Sequence, residues 1–154
     1  MLDYQRLFHT GVRVVDLEKA MVELGSSLGV TWAEVQERQQ AIWQPGVGAR
    51  TVALRFTYSC EGPQHIELLQ GAAGSFWDAA GGAGVHHVGV WSDDVAGETT
   101  RLVEAGWALL GAQTSPAEGF GLYTYLAPPS GLLLELVHAA ALPRFEVWWA
   151  GGSL

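Results

Sequence analysis

The chain has 154 residues, 49% of them hydrophobic and 16% charged, which suits a compact domain with its own core and excludes an intrinsically disordered segment. Eight basic residues against sixteen acidic ones give a net charge of −8, a field that repels phosphate backbones and removes nucleic acid from the expected partners. A single cysteine, Cys60, excludes an intrachain disulfide and a thiolate zinc site; no apolar run is long enough to cross a membrane, and the start MLDYQRLFHTG carries no secretory signal, so a cytoplasmic location is expected.

Residues 8–15 alternate in the manner of a strand, and Asp16 follows as a helix N-cap. Leu17, Ala20, Met21, Leu24 and Leu28 then recur at helical spacing, with Gly29 as the stop. Strand candidates come next at 30–43 (irregular), 51–59 and 64–70. The glycine-rich stretch GAAGSFWDAAGGAG, residues 71–84, is a linker. A second series begins with VHHVGVW from Val85. Asp94 caps a helix whose stripe includes Val95, Leu102 and Val103, and strand candidates follow at 107–114, 122–127 and 132–138. PPSG at 128–131 is a turn between the last two, and residues 140–154 form a tail whose Trp148 and Trp149 either anchor it or cover a pocket.

The two series repeat one pattern. HTGVRVVDLEKA from His9 aligns with HVGVWSDDVAGE from His87: His first, Gly two residues on (Gly11, Gly89), Asp seven residues on (Asp16, Asp94). The alignment selects His87 over His86, which falls on the opposite face. Each series reads βαβββ, as module one over about 7–70 and module two over about 85–139 of a single domain spanning 1–154. The expected fold is α+β: two βαβββ modules pairing into a curved mixed sheet around a central cleft, helices on the outer face.

Strand side chains alternate between faces. Val12, Val14, Val88 and Val90 lie opposite His9 and His87; Ile66, Leu68, Leu134 and Leu136 lie opposite Glu67 and Glu135. The apolar faces suit helix packing, which turns both histidines and both glutamates into the hollow of the sheet. A carboxylate in an apolar strand is costly to bury unless paired or metal-bound. Two imidazoles and two carboxylates on one centre make a site for one divalent ion such as Zn, Ni, Co, Mn or Fe. The glycines beside the histidines are expected to leave room for metal and substrate near the backbone. His65 shares the face of Glu67 and is a candidate support for it. Arg13 on the His9 face is a candidate grip for a substrate carboxylate, and Trp91 a candidate pocket wall.

The motifs FHTGVRVVDLEKA, HIELLQ, HHVGVWSDDV and PPSGLLLELV resemble the vicinal oxygen chelate superfamily, which includes glyoxalase I, methylmalonyl-CoA epimerase, extradiol dioxygenases and bleomycin-resistance proteins. The resemblance covers about residues 7–139. It implies that His9, Glu67, His87 and Glu135 are metal ligands, with Glu135 or Glu67 also the catalytic base. The implied function is a metal-dependent isomerase, epimerase or glyoxalase-type lyase working through a metal-stabilised enolate of a carbonyl or acyl compound. A small-molecule binding or resistance protein is the alternative, and an iron dioxygenase a third reading. With Lys19 the sole lysine and no basic cluster along the chain, an apolar carbonyl or thioester substrate is expected. A homodimer is the expected assembly.

Overall fold

A computed structural model describes residues 1–154. Each series folds as strand, helix and three strands. The first comprises β1 (Leu7–Arg13), α1 (Leu17–Leu28), β2 (Gln36–Gln44), β3 (Gly48–Tyr58) and β4 (His65–Gly71). The second comprises β5 (Gly84–Ser92), α2 (Val95–Glu104), β6 (Ala108–Ala112), β7 (Tyr123–Ala127) and β8 (Leu134–His138), and the tail adds α3 (Leu142–Trp149). No helix is long and apolar enough to cross a membrane.

The strands close into a barrel in the order β1-β4-β3-β2-β6-β7-β8-β5. β1 with β4 and β5 with β8 are parallel; the other neighbours are antiparallel, so the sheet is mixed. The two seams between modules differ. β1 and β5 pair along their length, whereas β2 and β6 meet through the single pair Trp43–Ala112.

Local chemistry sets the element ends as the residues predict. The Asp16 carboxylate accepts from the Lys19 amide, Asp94 accepts from the Gly97 amide, and Gly29 closes α1 in the left-handed conformation at φ 70°. The irregular stretch before Gln36 contributes no strand beyond an isolated bridge from Trp32 to Ser59. β2 itself is polar along most of its length; its ladder with β3, turned at Pro45 and Gly46, specifies it rather than an apolar face.

α2 buries Val95, Thr99 and Leu102 against Val90, Leu126, Leu134 and Leu136. Val103, expected in that stripe, is 43% exposed. It lies eight residues from Val95, and the buried face runs through Thr99 instead, whose hydroxyl bonds that of Thr124 at 2.8 Å. α1 buries only Leu17 completely, so module one is less tightly covered than module two. The larger core lies on the inner side of the barrel and is aromatic, running from Phe8 and Trp91 through Phe56, Tyr58 and Tyr125 to Trp77 and Trp148.

Candidate metal centre

Strand register builds the site. The antiparallel pairing of β1 and β5 sets His9 opposite Gly89 and Gly11 opposite His87. Parallel pairing places Gly11 beside Glu67 and Gly89 beside Glu135, and the outer neighbours of the two glutamates are Tyr58 and Tyr125. Two rows therefore cross the barrel, Tyr58–Glu67–Gly11–His87 and Tyr125–Glu135–Gly89–His9, related by an approximate twofold.

The glycines have a different use from the one the sequence suggested. A methyl group on Gly11 would land in the ring of His87, and one on Gly89 in the ring of His9. Each glycine makes room for the histidine of the other module, which locks the modules together at the site.

The four expected residues converge, and all are buried: His9 0%, His87 1%, Glu67 6% and Glu135 7% exposed. The two Nε2 atoms are 2.9 Å apart. Glu67 Oε2 lies 3.4 Å from His9 Nε2 and 3.2 Å from His87 Nε2, and Glu135 Oε2 lies 3.2 and 3.3 Å from the same atoms. Donors held about 2.0–2.1 Å from a divalent ion sit roughly 3.0–3.4 Å from one another, so these separations suit a shared ion. Glu67 Oε2 and His9 Nδ1 are buried polar atoms without a hydrogen-bond partner, and a cation would serve the first directly. The four residues could hold a metal ion.

Charge in the cluster is balanced internally. Burial opposes protonation of both histidines, but Glu135 and Glu67 outweigh it, raising His9 and taking His87 up to about 9. Burial likewise opposes ionisation of the glutamates, and the two imidazoles overcome it, so both carboxyl pKa values are lowered. Burial and the two carboxylates push the hydroxyls of Tyr58 and Tyr125 well above the ordinary tyrosine value. A divalent cation held by these four residues would supply the positive charge that imidazole protons otherwise provide.

His86 is not remote from the centre, contrary to the alternation argument. Its Nδ1 lies 3.0 Å from Nδ1 of His87. Burial, then the neighbouring His87 and Arg13, lowers its pKa to about 3, so it stays neutral and can accept the Nδ1 proton of a His87 that ligates through Nε2. A break in the β1–β5 register between Gly11 and Val12 accounts for the departure from simple alternation. His65 points elsewhere: its Nδ1 is 2.6 Å from the Ser59 carbonyl, and its ring stacks on Trp149 at 3.7 Å.

Glu67 and Glu135 also face a chamber of about 110 Å³, walled by Leu54, Phe56, Trp77, Phe145 and both tyrosines. Arg13 and Trp91 do not line it. Arg13 borders a separate cavity of about 550 Å³ outside the barrel, between the end of β1 and α1, and Trp91 stacks on Phe8 at 3.8 Å in the core. Trp77, from the stretch read as a linker, donates to the Tyr125 hydroxyl at 3.2 Å. The pairing of the tyrosines was present in the sequence as FTY at 56–58 and YTY at 123–125, a repeat less visible than that of the histidines.

A model of the glyoxalase/bleomycin resistance protein/dioxygenase superfamily matches residues 8–125. The chain belongs to this superfamily. Among solved structures of the vicinal oxygen chelate fold, a variant of Streptomyces coelicolor methylmalonyl-CoA epimerase in complex with 2-nitronate-propionyl-CoA is 22% identical, with TM-score 0.63 over 92% of this chain and 97% of the other. A hypothetical protein from Bacillus halodurans is 18% identical, with TM-score 0.63 over 86% and 92%. The Mycobacterium tuberculosis methylmalonyl-CoA epimerase is 18% identical, with TM-score 0.60 over 90% and 92%. No curated protein matches the sequence. At these identities the likeness is one of fold.

Proposed function

We propose that this superfamily member is a metal-dependent isomerase, epimerase or glyoxalase-type lyase that moves a proton on the carbon beside a carbonyl. One observation carries the reading: Glu67 and Glu135 face both the paired imidazoles and an apolar chamber. A divalent ion held by His9, Glu67, His87 and Glu135 would supply a Lewis acid for the substrate carbonyl oxygen.

The chain's own residues do the rest. The aromatic and aliphatic walls exclude water from the reacting carbon. A glutamate carboxylate takes the proton from that carbon and returns it to the same or the adjacent carbon. Tyr58 and Tyr125 stay protonated and serve as donors at the chamber wall. Glu135 is the proposed base and Glu67 the proposed second ligand carboxylate.

The test is exchange of substrate α-hydrogen with deuterium in heavy water, expressed per bound metal, across a panel of carbonyl and thioester compounds. Glu135→Gln keeps an amide oxygen for the metal but cannot accept a proton, so exchange should fall about 10²–10⁴-fold. Glu67→Gln should be milder. Unchanged exchange per metal in Glu135→Gln moves the base to Glu67. Tight metal binding with no exchange of any compound favours a binding or resistance protein instead.

A further inference from the structure

The chamber beneath the glutamates abuts a second cavity of about 190 Å³, and the two share Gln40, Phe56, Tyr123, Val137 and Phe145. Gln40 donates to the Tyr123 hydroxyl at 2.7 Å, a polar clasp in this shared wall. The outer cavity adds Arg38 from β2, Arg144 from α3 and the last residue, Leu154; no aspartate or glutamate side chain lines it. That balance is unexpected in a chain with a net charge of −8.

Three arginines are committed to carboxylates, Arg6 to Asp93, Arg55 to Glu18 and Glu37, and Arg101 to Glu98, whereas Arg13 and Arg50 form no ion pair and lie away from this cavity. Arg38 and Arg144 take part in none of the ion pairs. Arg38 instead hydrogen-bonds the neutral Gln36 and lies over the Phe56 ring at 5.9 Å, a wall of both cavities. Both arginines are exposed. Residues more than one hundred positions apart thus create a cationic mouth on an otherwise acidic molecule, above an apolar chamber that ends at two glutamates. A guanidinium matches a carboxylate or phosphate with paired donors, and a local positive field draws such groups in.

We infer that Arg38 and Arg144 form an oxyanion-recognising mouth to the chamber, and that the preferred ligand is a compact carbonyl compound with an apolar body and a carboxylate or phosphate at its far end. The inference rests on the proposed function in taking the glutamate end of the chamber as the reacting end. Arg144 lies beyond residues 8–125 matched by the superfamily model, so this mouth depends on the chain's own C-terminal helix.

The experiment measures binding to the zinc-loaded full chain by calorimetry. The ligands are 4-acetylbenzoate, 4-acetylphenyl phosphate and the neutral 4-acetylbenzamide. Wild type should prefer the anions, and the preference should shrink as salt is raised. Arg38→Gln and Arg144→Gln should each weaken anion binding about threefold to tenfold, between the value of an exposed ion pair and that of a charge-assisted hydrogen bond, and leave the benzamide unchanged. The ratio of benzoate to phosphate affinity identifies which oxyanion the mouth selects. Equal affinity for benzoate and benzamide overturns the inference, as does equal loss of all three ligands in the variants. So does a benzoate preference that survives in the double variant, since the metal would then be the anion site. The outcomes separate from those of the proposed function: arginine-dependent preference without deuterium exchange sinks the proton-transfer reading alone, and exchange indifferent to both arginines sinks the mouth alone.

Discussion

Gly11 and Gly89 are the residues on which the site depends most directly without touching its chemistry. Each lies across the strand pair from a histidine whose ring occupies the space a side chain would fill. Gly11→Ala or Gly89→Ala should therefore displace a ligand ring. The expected result is loss of most metal binding together with about 1–3 kcal/mol of stability, the usual cost of overpacking. Metal stoichiometry and urea midpoints on the same preparations check this, and a variant that binds metal as wild type would show that the ring has another place to go. The adjacent histidines should separate in the same assay. His87→Ala should abolish metal binding, since a donor is removed. His86→Ala should reduce affinity about 10–100-fold, the usual consequence of removing the partner of a ligand histidine. Equal and complete loss in both would mean that His86 is itself a ligand.

At the scale of elements, α3 is the piece that turns an open cleft into a chamber. Trp148 is completely buried, donates to the Glu34 carbonyl at 2.9 Å and packs edge-on against Phe56 and Tyr58, while Phe145 on the same helix walls the chamber. Trp148→Ala should cost about 3–5 kcal/mol by cavity formation. A smaller loss, under 1 kcal/mol in chemical unfolding, would show α3 to be loosely docked. The hydroxyl pair Thr99–Thr124 between α2 and β7 offers a contrasting case. Either Thr→Val change alone strands one buried hydroxyl and should cost about 1–3 kcal/mol, whereas the double change should be close to neutral. Equal costs for single and double variants would mean that the hydroxyls do not depend on each other.

Over the whole molecule, the two modules meet at a long seam, β1 with β5, and a thin one, β2 with β6. The four candidate ligands come from β1 and β4 of one module and β5 and β8 of the other, so a bound ion would tie the modules across the long seam. Metal should then act on global stability. At one hundred times its dissociation constant, zinc should add about 2.7 kcal/mol, and none in His9→Ala. Thermal unfolding with and without chelator reads this directly; an equal shift in the variant would place the stabilising ion elsewhere.

The sequence determined by itself whatever repeats or alternates. The capping aspartates, the βαβββ order and the inward faces of His9, Glu67, His87 and Glu135 follow from period and spacing, because strand alternation and helix caps are local properties of the chain. Strand register, which the sequence does not display, decided the remainder. It placed Tyr58 and Tyr125 beside the glutamates, seated each histidine over the other module's glycine, and let a register break bring His86 onto His87. It sent Arg13 outside the barrel, and tail docking brought Arg144 to the same cavity as Arg38. Trp77, inside a glycine-rich stretch, and Phe145, inside a tail, carry no periodic signal. Their place in the chamber follows from barrel closure and helix docking, where burial of apolar surface between distant segments outweighs anything their neighbours in sequence prefer.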